Sequence, residues 1–140
     1  MNNEILIQFD GGSRGNPGIA GGGVVIYKDN VEIISLCVPY STSMTNNQSE
    51  YLTLKEALIL ALKEGYKELT VQGDSMLVIN QVNGLWKIKN EELKNIHSEI
   101  LNLINSFDKI KFEHIYRKYN KRADELANQA MDLLTINLKT

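Results

Sequence analysis

Four acidic residues occupy positions from which chemistry is done: Asp10, Glu50, Asp74 and Asp124. Asp10 closes an alternating apolar run and precedes a glycine-rich stretch. Asp74 follows Gly73 at the end of a second such run. Glu50 falls in about the first turn of one helical stretch, and Asp124 in the first turn of another. In an open α/β sheet, binding sites collect where strands end and helices begin. Each residue also has an ordinary reading. Asp74 before Ser75 suits a helix cap, Glu50 and Asp124 complement helix dipoles, and Asp10 suits a glycine turn. Together they read differently, because several carboxylates within a few ångströms repel one another unless a cation neutralises them. No His or Cys joins the set, so the donors are oxygen only. Such a set suits Mg²⁺ or Mn²⁺, and not zinc.

The surrounding pattern predicts the elements that hold these residues. Ile5, Ile7 and Phe9 alternate with polar neighbours, giving a strand over 4–10. Gly11-Gly12-Ser13-Arg14-Gly15-Asn16-Pro17-Gly18 reads as a tight turn. Strands over 21–27 and 31–39 follow, and their short connections favour an antiparallel meander. Thr45-Asn46-Asn47-Gln48 fits a capping box. The helix it starts carries Leu54, Ala57, Leu58, Ala61 and Leu62 on one face and stops at Gly65. A strand over 69–73 comes next, with parallel pairing to strand three expected from the intervening helix. Helices over 75–83 and 90–106, a strand over 109–116 and a helix over 121–134 complete the chain. The order βββαβααβα predicts an α/β fold, with three antiparallel strands and then two parallel ones in a mixed five-stranded sheet flanked by helices.

At 140 residues, with 43% hydrophobic and 23% charged residues, the chain fits one domain spanning 1–140. Net charge is -2 and the pI about 5.7, which argues against coating nucleic acid by bulk charge. A local basic face remains available in Lys87, Lys89, Arg117, Lys118, Lys121 and Arg122. No apolar run reaches the ~20 residues of a membrane span, and residues 1–4 show no secretory signal. Cys37, the lone cysteine, lies in an apolar run and reads as a buried structural thiol. A cytoplasmic monomer without an obligate protein partner or membrane is expected.

Four blocks decide between the ordinary and the chemical readings. They are Asp10 through Gly18, Thr45-Asn46-Asn47-Gln48-Ser49-Glu50-Tyr51, Gly73-Asp74-Ser75, and Arg122-Ala123-Asp124-Glu125-Leu126-Ala127. In this order they closely resemble the signature blocks of type 1 ribonucleases H, and the likeness covers nearly the whole chain. The resemblance implies a ribonuclease-H-like fold and an endonuclease that cuts the RNA strand of RNA–DNA hybrids, leaving 5′-phosphate and 3′-hydroxyl ends. It further implies that Asp10, Glu50, Asp74 and Asp124 bind two Mg²⁺ ions, which Mn²⁺ can replace, with Asp10 bridging both. Asn16, Asn46 and Asn47 match positions that meet the minor groove, where amides can read a 2′-OH, and Ser13 is a further expected substrate contact. Thr45 and Asn90 match positions that hold a DNA phosphate.

Trp86 and Lys87 suggest a further nucleic-acid contact. The equal alternative is a packed ring and a solvated amine. Arg117, Lys121 and Arg122 flank Asp124 and are expected along the substrate path. Two departures stand out. The stretch 83–90 is too short for the basic protrusion of many bacterial relatives, and 116–121 lacks their loop histidine. The chain therefore resembles the compact archaeal-type and short bacterial branch, with weaker hybrid affinity and altered product release expected. His97 and His114 do not match the missing loop position. Double-stranded RNA as substrate, or a module that binds without cleaving, are the competing readings.

Overall fold

The computed structural model describes residues 4–139, with side chains through Ile136. Its strands are β1 (Ile5–Gly15), β2 (Gly18–Lys28), β3 (Val31–Met44), β4 (Glu68–Gly73) and β5 (Lys109–His114). Its helices are α1 (Asn46–Lys63), α2 (Met76–Val82), α3 (Glu91–Ile104) and α4 (Lys121–Lys139), with a single 3-10 turn at Arg117–Tyr119. The sheet order is β3-β2-β1-β4-β5. β1 to β3 pair antiparallel, and β4 runs parallel to β1 and to β5. The expected mixed sheet and its element order are present. Among the described residues, no helix is long and apolar enough to cross a membrane.

Three expectations are corrected. Strand one does not stop at Asp10; β1 continues to Gly15 and pairs with β2 throughout, Gly11 opposite Gly22 and Gly12 opposite Gly21. The glycines read as a turn are strand residues, and only Asn16 and Pro17 lie between β1 and β2. The small size of Gly11 and Gly12, like that of Gly21 to Gly23 in β2, serves packing on both sheet faces. A Cβ on Gly11 would sit 2.5 Å from the Ser49 carbonyl carbon in α1, and one on Gly23 would sit 2.2 Å from the Ala123 carbonyl oxygen in α4. Secondly, β4 pairs with β1, not with strand three. Strand three is an edge, where Pro39 faces Gly21 and its missing N–H matters little. Thirdly, the last helix extends beyond Leu134 to Lys139, while β5 ends at His114.

α1 and α4 cover opposite faces, as the alternation of strand side chains requires. Gly22 faces Thr53 of α1, whereas its neighbours Gly21 and Gly23 face α4. Ile5, Ile7 and Phe9 from β1, Val24 and Ile26 from β2 and Val71 from β4 form one core with Leu54, Ala57, Leu58 and Ala61 of α1. The capping box fixes the start of α1: Thr45 Oγ1 accepts from the Gln48 N–H at 3.1 Å, and the Thr45 N–H donates to Gln48 Oε1 at 2.9 Å. Cys37 is half-buried, with its Sγ donating to Gln129 Oε1 at 3.5 Å, and is thus less enclosed than expected.

The contact of β2 with α4 leaves no room for a methyl group at position 23. Gly23→Ala should lower unfolding free energy by about 2–3 kcal/mol, the upper range for forced overpacking. Urea titration would show this as a reduced midpoint, and a midpoint equal to wild type would refute the close packing.

Candidate active site

Neighbouring elements bring the acidic residues to one place. β1 and β4 pair in register Phe9 opposite Gly73, so Asp10 and Asp74 emerge side by side. Glu50 enters from α1, which the capping box and Gly11 bring close. Asp10 is 7% exposed and Glu50 3%. One carboxylate oxygen from each of Asp10, Glu50 and Asp74 lies within 4.8 Å of the others. Asp124, on the first turn of α4, lines the same cavity of about 350 Å³. Its Oδ1 lies 3.4 Å from Arg117 Nη2.

The ordinary readings can now be tested. Ser75, not Asp74, caps α2: its Oγ accepts from the Val78 N–H at 3.3 Å. Glu50 lies too deep to serve only as a helix-dipole partner. Its Oε1 accepts the Gly11 N–H at 3.1 Å, while Oε2 is buried with no hydrogen-bond partner. Asp10 sits within a strand and organises no turn.

Electrostatics agree with the geometry. Burial raises the Asp10 carboxyl to about 7; the adjacent Glu50 carboxyl opposes the rise, and Asp74 and Asp124 add to it. Burial also pushes Glu50 well above the usual carboxylate range, and Asp10 pushes it further. An orphaned oxygen, an all-oxygen donor set and carboxyls that resist ionisation fit a hard divalent cation, which would replace the retained protons.

Sequence reasoning missed Asn120. It is fully buried, and its Nδ2 donates to the Phe9 carbonyl at 2.9 Å and to Asp74 Oδ2 at 3.0 Å. The residue thus ties Asp74 to the backbone just before Asp10. An amide preceding a helix reads as a cap, which hid this role.

The other predicted residues divide between two surfaces. Ser13 and Asn46 line the acidic cavity, together with Arg117. Asn16 stands at the hairpin tip, where its Oδ1 accepts the Asn46 N–H at 3.0 Å. Asn47, Trp86, Lys87 and Asn90 line a second groove of about 550 Å³. Trp86 is 46% exposed, which leaves its ring available for stacking. Thr45 and Asn90 both cap helices, α1 and α3. Lys121 is exposed at the start of α4. Arg122 is occupied elsewhere: its guanidinium pairs with Glu32 at 2.9 Å and Glu125 at 2.6 Å, fastening α4 to β3.

The sequence matches the Reverse transcriptase-like family over residues 8–130. It is 39% identical over 130 residues to a bifunctional protein of Mycobacterium tuberculosis, covering 92% of this chain but 36% of that protein. The chain thus spans about a third of that relative's length. Identity is 38% to ribonuclease HI of Halobacterium salinarum, over 92% of this chain and 65% of the other. It is 36% to ribonuclease H of Chlorobium luteolum, over 94% and 97%. The solved structure of LC11-RNase H1 in complex with an RNA/DNA hybrid superposes with a TM-score of 0.89 at 36% identity, covering 94% of this chain and 99% of that one.

The raised carboxyls link stability to pH. A group whose pKa rises on folding adds stability that is present below its unfolded value and lost as pH rises through its folded value. For Asp10 the loss runs from about 3.8 to about 7, and Glu50 shifts in the same direction. At ~1.4 kcal/mol per pK unit, the metal-free protein should lose a few kcal/mol across this window. Thermal melts in chelator should show a falling Tm, flattened in Asp10→Asn and reversed by Mg²⁺ at neutral pH. Parallel profiles for wild type and Asp10→Asn would contradict the assignment.

Proposed function

The chain belongs to the type 1 ribonuclease H family, and from that membership we propose that it is an endonuclease hydrolysing the RNA strand of RNA–DNA hybrids. One observation carries the reading: the meeting of Asp10, Glu50 and Asp74 within 4.8 Å, with a buried Glu50 oxygen left unpartnered. Clustered negative charge hinders phosphate binding by itself, so the cluster favours catalysis over a binding role. The hybrid bound to a relative of the same fold supports the substrate class.

Two Mg²⁺ ions, or Mn²⁺ in their place, held by Asp10, Glu50, Asp74 and Asp124 would supply an activated water and neutralise the attacking and leaving oxygens, giving 5′-phosphate and 3′-hydroxyl ends. Asp10, beside Glu50 and Asp74, would be the central holder of these ions, supplying an oxygen to them. Asn120 keeps Asp74 from rotating away from Asp10. No side chain of this chain bonds to phosphorus. Asn16 holds α1 through Oδ1, which leaves its Nδ2 to donate into a minor groove. Asn46 and Asn47 are exposed beside it for the same purpose. Arg117, 80% exposed next to Asp124, reaches toward a backbone phosphate. The second groove takes the other strand, with Trp86 against sugar or base and Lys87 at phosphate.

Labelled RNA–DNA hybrid, double-stranded RNA and DNA duplex, each with and without Mg²⁺, test this directly. Only RNA in the hybrid should be cut, only with Mg²⁺ or Mn²⁺, to ends that ligate without prior phosphorylation. Asp10→Asn should reduce the rate by roughly two orders of magnitude or more. Intact RNA in the hybrid at high enzyme and metal would reject the reading, and a stable uncut complex would make the chain a binding module.

A further inference from the structure

The second groove has one wall without regular structure. Residues 87–90 belong to no helix or strand, yet Trp86 and Lys87 must keep a fixed place if they are to meet a duplex. The turn after α2 provides the first restraint. Gly84 takes φ +78°, and the Leu85 and Trp86 N–H groups both donate to the Asn80 carbonyl, at 2.8 and 3.2 Å. Farther along, Ile88 packs partly against the core and Asn90 caps α3. Between these lies Lys87, exposed on its side chain but tied through its backbone.

That tie is Gln81. The residue is 5% exposed on α2. Its Nε2 donates to the Lys87 carbonyl at 3.2 Å, and its Oε1 accepts the Tyr51 hydroxyl. Its own carbonyl lies 3.2 Å from His97 Nε2, and His97 meets the Tyr51 ring edge-on at 6.3 Å. Both halves of the amide are therefore used, one toward the segment and one toward α1. Leucine would fill a similar volume, and a carboxylate would accept but not donate. Only an amide of this length does both. Tyr51 follows Glu50 directly and lies four residues after Asn47, so the chain of bonds ends on the helix that serves both surfaces.

We propose that Gln81 is a positioning residue for the substrate: by joining the Lys87 carbonyl to Tyr51, it sets Trp86 and Lys87 at a fixed height relative to α1 and the carboxylates. The proposal rests on the hybrid-cleaving reading above for its consequence, but not for its structural content. Binding of the strand distant from the cleavage point should depend on Gln81. The chemical step should not, because the carboxylate cluster makes no contact with it.

Trp86 is the chain's single tryptophan, so its fluorescence reports the segment alone. Gln81→Leu should raise acrylamide quenching of Trp86 about twofold in the free protein. It should also raise KM for the hybrid about five- to tenfold, the weight of roughly one buried hydrogen bond, with kcat within about twofold of wild type. Tyr51→Phe removes the anchor from the other end and should give the same pattern more weakly; it replaces Gln81→Leu if that variant fails to fold. Quenching equal to wild type in a folded variant overturns the proposal. So does a loss of kcat at constant KM, or a mobile Trp86 with KM unchanged. Should the wild type leave hybrids uncut, the functional reading fails instead, and the quenching comparison still decides whether Gln81 holds the segment.

Discussion

Asp10 and Glu50 are buried beside each other, with Asp74 within ligand distance of both. Carboxylates removed from water lose solvation, and these also repel one another. Such an arrangement opposes folding, since apolar residues of similar volume would avoid both penalties. What holds it together is the frame. The Gly11 N–H fixes one oxygen of Glu50, and the Asn120 amide fixes one of Asp74. Both donors are neutral, so they orient the carboxylates without neutralising them. The guanidinium of Arg117, mostly in solvent at the cavity's rim, pairs among the described residues only with Asp124, at 3.4 Å. The clustered oxygen donors suit a divalent cation, and holding them together is the constraint that shapes the rest of the molecule.

The frame must be tight for the repulsion to persist instead of relaxing. Close packing provides the tightness. β1 and β2 present glycines to both faces, letting α1 and α4 lie directly against the backbone. Gly11 performs two tasks at one place: its missing side chain admits Ser49 and Glu50, and its N–H then binds the Glu50 carboxylate. A larger residue would move the helix and the ligand together. The hairpin tip adds a latch at the same end, with Asn16 holding the first residue of α1.

Much of this was legible in the sequence where periodicity or local chemistry speaks. The alternation in 5–9, the capping box at Thr45 and the stripe of α1 gave the right elements in the right order, and the four flanked acids are ones that the fold gathers at one cavity. What local pattern does not carry is spatial partnership. Glycines at 11 and 12 look like a turn because sequence shows their flexibility, not the helices pressed against them. The pairing of β4 with β1 depends on which strand lies central, a property of the whole sheet. Asn120 and Gln81 escaped notice because a buried amide bridging distant groups looks, in sequence, like any polar residue near a helix end. Local pattern likewise does not show that Arg122, beside Asp124, pairs with Glu32, 90 residues away.

The two departures from larger relatives then have a common physical consequence. A loop histidine titrates near neutrality and can change charge over the working range. Here the turn before α4 offers Arg117, whose charge is permanent. Burial and the neighbouring acids raise the carboxyls of Asp10 and Glu50 instead. The missing basic protrusion likewise removes long-range attraction from a chain whose net charge is already -2. The candidate contacts are short-range ones: amides at the hairpin and α1, and a ring and an amine on a short segment. Short-range contacts weaken steeply with misplacement, so a chain that relies on them gains more from a rigid groove than one that gathers its substrate by charge.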